Sequence, residues 1–228
     1  MSVTDEDQTR VGDGSIDLGE LAREVIAAAP NLDETGRRIA VALYRLLAAG
    51  KPVPRKRLAE RVGLSMESVA AALDGWPGVY VDDEGSVVGF GGLTQTEMPP
   101  HRLEVEGHKL SAWCAWDSLF IPQILGVTAR VDSTAPTSGD AISLVVRPDG
   151  IESVTPEQAV LSFRRPKEGF DAKIIQSFCH YVLFFPSEDS GRQWTAERAD
   201  TFLLSIDEGF QLGRLWVEGV FGAALGTG

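Results

Sequence analysis

The two cysteines of this chain, Cys114 and Cys179, each lie in a short segment rich in aromatic residues. The first segment reads Trp-Cys-Ala-Trp-Asp over residues 113–117, and the second reads Ser-Phe-Cys-His-Tyr over residues 177–181. A thiolate is a strong nucleophile and a ligand for soft metals, and a nearby carboxylate can take up and return a proton. The spacing of Cys114 and Asp117 therefore indicates soft-metal binding combined with proton transfer.

This chemistry requires both segments to be held in an apolar place. If residues 114–117 are helical, Cys114 and Asp117 lie one turn apart on the same side of the helix. If residues 178–185 form a strand, Cys179 is fixed on a rigid sheet and can act as the second ligand of a linear, two-coordinate soft metal. Aromatic neighbours would raise the pKa of the Asp117 carboxyl by burial. We expect those neighbours to include Trp113, Trp116 and Phe178.

Each of these residues also has a purely structural interpretation. Free cysteine is among the most buried residue types and usually acts as a small hydrophobe. An aspartate on a helix, such as Asp117, more often faces solvent or caps the helix. If residues 178–185 form a regular strand, His180 points away from the face of Cys179. The chain has no Cys-x-x-Cys pair, zincin helix, phosphate loop or Gly-x-Ser-x-Gly elbow, so zinc, nucleotide and serine-hydrolase functions have no support.

The composition is typical of a globular protein, with a strong excess of acidic residues. The 228 residues carry a formal net charge of -12, which argues against tight binding to DNA or to anionic membranes. The first twenty residues lack the pattern of a signal peptide, and no apolar run approaches the roughly 20 residues that span a bilayer. We therefore expect a cytoplasmic location, where both cysteines stay reduced.

The pattern of apolar residues and turn signals divides the chain into three parts. We predict a disordered acidic arm over residues 1–16, a helical region over 17–91 and a region carrying both cysteines over 92–228. The middle region is expected to hold helices over 16–29, 34–49, 55–62 and 65–73, followed by a hairpin over 79–90. The last three of these helices and the hairpin, over residues 34–91, resemble a winged helix-turn-helix.

A winged helix would suggest DNA binding, but the second helix of the motif lacks the side chains that read bases. Between residues 66 and 74 it has two acids, Glu67 and Asp74, and no base. Acidic residues 82–84 at the tip of the wing would repel phosphates. The basic residues of segment 55–61 keep DNA binding open as an alternative. We favour a structural role and expect no nucleic-acid partner.

The sequence pattern after residue 91 predicts a region of both helices and strands. We expect residues 92–110 to form a polar connector in which His101 and His108 are exposed. A helix is predicted from about Cys114, with an interruption near Pro122. Strands are expected over 127–131, 141–147, 159–164 and 178–185, and a closing helix over 196–220. The fold class is thus α+β, a winged-helix-like region followed by a mixed or antiparallel sheet with flanking helices.

Taken together, the two cysteine segments resemble the active-site segments of bacterial organomercurial lyase (alkylmercury lyase). The similarity extends to Phe184-Phe185, to the stretch from Thr201 to Trp216 and to the winged-helix-like part, and so covers most of residues 20–225. A Cys-x-x-Asp motif alone is weak evidence. Both segments in order, with the closing stretch, are specific.

The resemblance implies an activity and a set of residues. Cys114, Asp117 and Cys179 would be catalytic, cleaving a carbon–mercury bond by protonolysis and holding Hg(II) as product, with no cofactor required. It further implies that the substrate is an organomercurial and that small cellular thiols or mercuric reductase accept the mercury. From the resemblance an aliphatic residue is expected at the position of Trp116, so the tryptophan would change the size of the pocket and the preferred substrate. The alternatives are a metal-sensing winged-helix repressor and a mercury-binding protein without catalysis.

Overall fold

The computed structural model describes residues 16–226. The disordered arm was predicted over residues 1–16, and residues 1–15 of it lie outside the described part. The fold is α+β, with four helices first and then an antiparallel sheet with further helices, so the predicted fold class is confirmed. Among the described residues, none of the helices has the length and apolar character needed to cross a bilayer.

Eight helices are present in the described part of the chain. They are α1 (Leu18–Ala28), α2 (Glu34–Leu47), α3 (Arg55–Val62), α4 (Met66–Gly75), α5 (Asp117–Leu125), α6 (Ile174–Ser177), α7 (Glu188–Ala196) and α8 (Ile206–Phe221).

Eleven strands in the same residues form two antiparallel sheets. They are β1 (Val79–Val81), β2 (Val87–Phe90), β3 (Leu93–Thr94), β4 (Arg102–Val105), β5 (His108–Ala112), β6 (Ala129–Thr134), β7 (Ala141–Arg147), β8 (Gly150–Thr155), β9 (Val160–Arg164), β10 (Phe184–Phe185) and β11 (Thr201–Ser205). The large sheet has the order β1-β2-β3-β5-β4-β6-β7-β8, and the small one has the order β10-β9-β11.

The predicted winged helix-turn-helix is present. Asp33 and Ser65 cap α2 and α4 by accepting hydrogen bonds from the backbone N–H groups of Gly36 and Ser68. Gly63, in the left-handed conformation, ends α3 and makes the turn between the two helices of the motif. Strands β1 and β2 form the wing and continue into the large sheet.

The prediction that residues 92–110 form a polar connector is wrong, because these residues contain β3, β4 and the start of β5. Along β4, Leu103 and Val105 are buried while Arg102 and Glu104 are exposed, which is the alternation of a half-buried strand. The expectation that His101 is exposed is also wrong. It precedes β4, with only 1% of its surface exposed and its Nδ1 2.9 Å from Ser133 Oγ. His108 is exposed, as expected.

Other boundaries also differ from the prediction. The helix near Cys114 begins only at Asp117, so Cys114 lies in the turn before it. Residues 178–185 are not one strand, because Cys179–Tyr181 is a 3₁₀ turn and only Phe184–Phe185 pairs with β9. Residues 196–220 are not one closing helix, because they contain the last residue of α7, the strand β11 and most of α8. Ser205 is the N-cap of α8, and its capping box with Glu208 fixes the helix start.

Candidate active site

The first cysteine segment is a tight turn between β5 and α5. Asp117 is the first residue of α5, and its Oδ2 accepts a hydrogen bond of 2.9 Å from the backbone N–H of Cys114. In the same turn, Ser118 Oγ donates to the carbonyl of Ala115 at 2.6 Å. The aspartate thus reaches Cys114 by folding back over the turn, in the manner of a capping side chain, and not by lying one helical turn away.

The second cysteine segment is held against the first by a backbone hydrogen bond and against β9 by a buried serine. Ala115 N–H donates to the carbonyl of Val182 at 3.0 Å. Ser162, fully buried on β9, donates from its hydroxyl to the carbonyl of Tyr181 at 2.9 Å and accepts from the N–H of Leu183 at 3.1 Å. The 3₁₀ turn that carries Cys179 is therefore fixed between β9 and the Cys114 turn.

These contacts bring the three predicted catalytic residues together. One ligand atom each from Cys114, Asp117 and Cys179 lies within 4.8 Å of the others. All three residues are buried, and both cysteines are free thiols. Two thiols and one carboxyl at this separation are a donor set suited to a soft metal.

Burial controls the proton affinity of the Asp117 carboxyl. Loss of hydration raises its pKa from 3.8 to about 7, and hydrogen bonds from the thiol and the backbone N–H of Cys114 oppose the rise without cancelling it. A carboxyl group with this pKa exchanges protons near neutrality. It is therefore suited to act as a base first and an acid afterwards.

The two thiols hold their protons more tightly than the carboxyl. Burial raises the pKa of Cys114 well above its usual value, and its interactions with Cys179 and Asp117 raise it further. A hydrogen bond from Cys114 lowers the pKa of Cys179, but burial and the charge of Asp117 outweigh it, so this pKa is also raised. Both sulfurs thus remain thiols until a metal displaces their protons, and the Asp117 carboxylate is the adjacent base.

An apolar cavity of about 80 Å³ borders Asp117 and Cys179. The three aromatic residues predicted for a pocket all line it. The contribution of the N-terminal region was not predicted, because no local pattern in the sequence indicates it. The aromatic walls of the cavity include Trp113, Trp116 and Phe178 from the cysteine segments and Tyr44, Trp76 and Phe90 from residues 17–91. His180 is exposed and lies outside this wall.

Trp116 is the centre of the aromatic packing behind the cavity. Its ring makes edge-to-face contacts with Phe120, Phe163, Phe178 and Trp216 at centroid distances of 5.0–6.4 Å. It is 2% exposed, and its indole N–H donates to the Gly209 carbonyl at 3.1 Å. The side chain therefore helps to set the volume of the cavity.

Known families and proteins match the chain over nearly its whole described length. A family profile described as alkylmercury lyase matches residues 93–218, and one described as the helix-turn-helix domain of alkylmercury lyase matches residues 26–91. The alkylmercury lyase of Staphylococcus epidermidis is 38% identical over 172 residues, covering 75% of this chain and 78% of that protein. The Pseudomonas putida enzyme is 37% identical over 175 residues, covering 77% and 81%.

A solved structure supports the fold independently. The crystal structure of the mercury-bound form of MerB2 superimposes with a TM-score of 0.69 at 17% identity and covers 89% of this chain and 98% of its own. The two family profiles follow each other along the chain in the order of the winged-helix region and the region with both cysteines. With this extent of sequence identity, the chain belongs to the alkylmercury lyase family.

Proposed function

We propose that the protein cleaves the carbon–mercury bond of organomercurials by protonolysis, using the thiols of Cys114 and Cys179 and the carboxyl of Asp117. The observation that carries this proposal is the buried convergence of these groups beside an apolar cavity. Two soft ligands can hold the mercury, a neighbouring acid can protonate the carbon, and the cavity can receive the organic group. The three groups supply all of the chemistry, so no cofactor is required.

In the proposed reaction the organomercurial arrives bound to a small thiol, as R–Hg–SR′. The Cys114 thiol gives its proton to the Asp117 carboxylate and its sulfur bonds mercury. Cys179 adds as the second sulfur ligand, and the displaced R′S⁻ leaves as R′SH with the Cys179 proton. Asp117 then protonates carbon as the Hg–C bond breaks, giving R–H and Hg(II) bound by two thiolates.

The assignment of the first step to Cys114 follows from its hydrogen bonds. Its thiol interacts with both the carboxyl of Asp117 and the sulfur of Cys179, so it has a direct path for its proton. Cys179 borders the cavity and can approach mercury from the side of the organic group. Because Cys114 has no exposed surface, we expect small thiols to remove the Hg(II) product, with mercuric reductase as the later acceptor.

The N-terminal region, residues 17–91, has a structural role in this proposal, and residues 92–228 form the catalytic region. The contributions of Tyr44, Trp76 and Phe90 to the cavity support that role. The basic segment before the second helix is partly neutralised, since Arg55 pairs with Asp74 at 2.7 Å. We therefore propose no nucleic-acid partner and no membrane partner. The need for two reduced thiols favours the cytoplasm.

The test is the incubation of purified protein with phenylmercury and excess thiol. We expect catalytic release of benzene together with Hg(II) in the thiol pool. Stoichiometric binding of mercury without benzene would instead identify a mercury-binding protein. A protein that releases no benzene and binds promoter DNA in a mercury-dependent way would be a metal-sensing repressor.

Replacement of Trp116 by Leu is expected to lower stability and to widen substrate range. Loss of its buried ring, with the Gly209 carbonyl left unpaired, should reduce the free energy of unfolding by about 3 kcal/mol. The enlarged cavity should raise kcat/KM for a naphthylmercury substrate relative to methylmercury. Both effects can be measured by urea unfolding and by product release.

The matched control is Trp194→Leu. Trp194 is also buried, packs on Phe185 and lies outside the cavity wall. This variant should be destabilised without a change in the ratio of the two kcat/KM values. If Trp116→Leu leaves that ratio unchanged as well, Trp116 does not determine the substrate.

A further inference from the structure

The carboxyl of Asp117 packs against a glycine turn that has no role in the proposed mechanism. Gly91 and Gly92 connect β2 to β3 as a two-residue hairpin turn, and both have positive φ, +52° and +96°. A Cβ on Gly92 would lie 2.5 Å from Cγ and 2.6 Å from Oδ1 of Asp117. The backbone of Gly92 is thus in direct contact with the carboxyl group.

A tyrosine from the N-terminal region supports the other side of the same turn. The hydroxyl of Tyr44, on α2, donates a 2.6 Å hydrogen bond to the carbonyl of Gly91. A Cβ on Gly91 would lie 2.2 Å from that hydroxyl oxygen. Tyr44 is 1% exposed, and its ring packs on Phe90 and Phe221. The position of the turn is therefore fixed from α2.

The turn is also tied to the first cysteine segment. Trp113 N–H donates to the carbonyl of Gly92 at 2.9 Å, and the next residue is Cys114, whose N–H binds the Asp117 carboxyl. The glycine turn, the Cys114 turn and the Asp117 carboxyl are thus linked to one another by hydrogen bonds and by packing. Movement of the turn would move the carboxyl relative to the two sulfurs.

We propose that Gly92 is a positioning residue for the Asp117 carboxyl, and that Tyr44 holds the Gly91–Gly92 turn in the place this requires. The winged-helix-like region thereby takes part in placing the acid as well as in lining the cavity. The catalytic consequence rests on the proposed function. The packing contact itself does not.

The positive φ angles of the turn would by themselves account for a glycine at both positions. The test must therefore separate backbone strain from the steric contact with the carboxyl. Gly92→Ala introduces both a positive-φ alanine and a methyl group against the carboxyl. Gly85→Ala is the matched control, because Gly85 has φ +78° in the wing turn and no heavy atom within 4 Å of its Cβ position. If the glycine serves the turn only, the two variants should behave alike.

The experiment is a thermal double-mutant cycle on the full chain that pairs Gly92→Ala with Asp117→Ala. Gly92→Ala should lower Tm by about 5 °C more than Gly85→Ala does, as expected for overpacking in a protein of this size. In the Asp117→Ala background, which lacks the carboxyl carbon and oxygens, most of that excess should disappear. An equal excess in both backgrounds would overturn the contact, whether or not the protein cleaves mercury compounds.

The kinetic part uses phenylmercury with excess thiol. Gly92→Ala should lower kcat by about 100-fold through misplacement of the acid, while stoichiometric capture of mercury by the thiols is retained. Tyr44→Phe, which keeps the ring and loses the hydrogen bond to Gly91, should lower kcat by about tenfold with KM little changed. Wild-type kcat in either variant would overturn the positioning role. Absence of benzene from the wild-type protein would instead contradict the proposed function, and the thermal cycle would still decide the contact.

Discussion

Replacement of Asp117 by Asn is expected to abolish hydrocarbon release and, at the same time, to stabilise the protein at neutral and alkaline pH. The amide has the shape of the carboxyl and can still accept the hydrogen bond from the N–H of Cys114. It can neither receive the thiol proton nor return a proton to carbon. The displaced thiolate R′S⁻ can accept the Cys114 proton in place of the carboxylate, so capture of the organomercurial by Cys114 should continue, whereas benzene release should stop.

The gain in stability follows from the raised pKa of Asp117. Below pH 3.8 the carboxyl is protonated in both the folded and the unfolded chain and has no effect on stability. Between pH 3.8 and about 7 the unfolded chain has released the proton and the folded chain still holds it, so the stability of the wild type falls as pH rises. Above pH 7 the full cost of the buried charge, about 4 kcal/mol, is present.

Asparagine carries no such cost, so the advantage of Asp117→Asn should grow with pH. The neighbouring groups Cys114, Cys179 and Tyr44 all have raised pKa values and stay neutral in this range. We expect an advantage of about 2 kcal/mol at pH 5 and about 4 kcal/mol at pH 8.

Urea unfolding across this pH range measures the effect. Asp132→Asn, the same substitution at an exposed position of β6, is the control. A variant of Asp117 that is less stable than the wild type at pH 8, or that still releases benzene, would contradict the assigned role.

Replacement of Cys114 by Ser is expected to eliminate turnover by removing the step before proton transfer. A hydroxyl is a hard, weakly acidic group and does not bind mercury as a thiolate does. Loss of the nucleophile of a catalytic unit typically costs a thousandfold or more, so we expect kcat/KM to fall by at least about 10³-fold. Unlike the aspartate variant, this protein should also fail to retain phenylmercury after gel filtration.

Comparison of the Cys114 and Cys179 variants tests the order of the sulfurs. Cys179→Ser keeps the thiol next to Asp117 and should still capture phenylmercury with one sulfur, without releasing benzene. Retention of phenylmercury by Cys114→Ser together with its loss from Cys179→Ser would reverse the proposed order. Benzene release by Cys114→Ser at the wild-type rate would contradict the mechanism.

Local patterns predicted the elements that are amphipathic and capped. The helices of the N-terminal region have clear apolar faces, caps such as Asp33 and Ser65, and Gly63 in the turn. Strand β7 alternates along its whole length and was predicted with its observed limits. The strands in residues 92–110 were missed because β4 is short and its two buried residues, Leu103 and Val105, alternate with the charged Arg102 and Glu104.

The site could be predicted only in its residue types. Cys114 and Asp117 were paired by helical spacing, but their contact depends on a turn in which the carboxylate accepts from the cysteine N–H. The strand predicted for Cys179 is a 3₁₀ turn, and its place depends on the distant Ser162. The contact of Gly92 with Asp117 gives no local signal, since a glycine pair after a strand indicates only a turn.

The most direct test of the account is a single turnover of phenylmercury in D₂O by protein whose exchangeable protons have been replaced. The mechanism predicts one equivalent of benzene carrying one deuterium per molecule, with Hg(II) left on the two thiols. Asp117→Asn should give no benzene under the same conditions. Retained phenylmercury without benzene in the wild type, or benzene that carries no deuterium, would contradict protonolysis by this site.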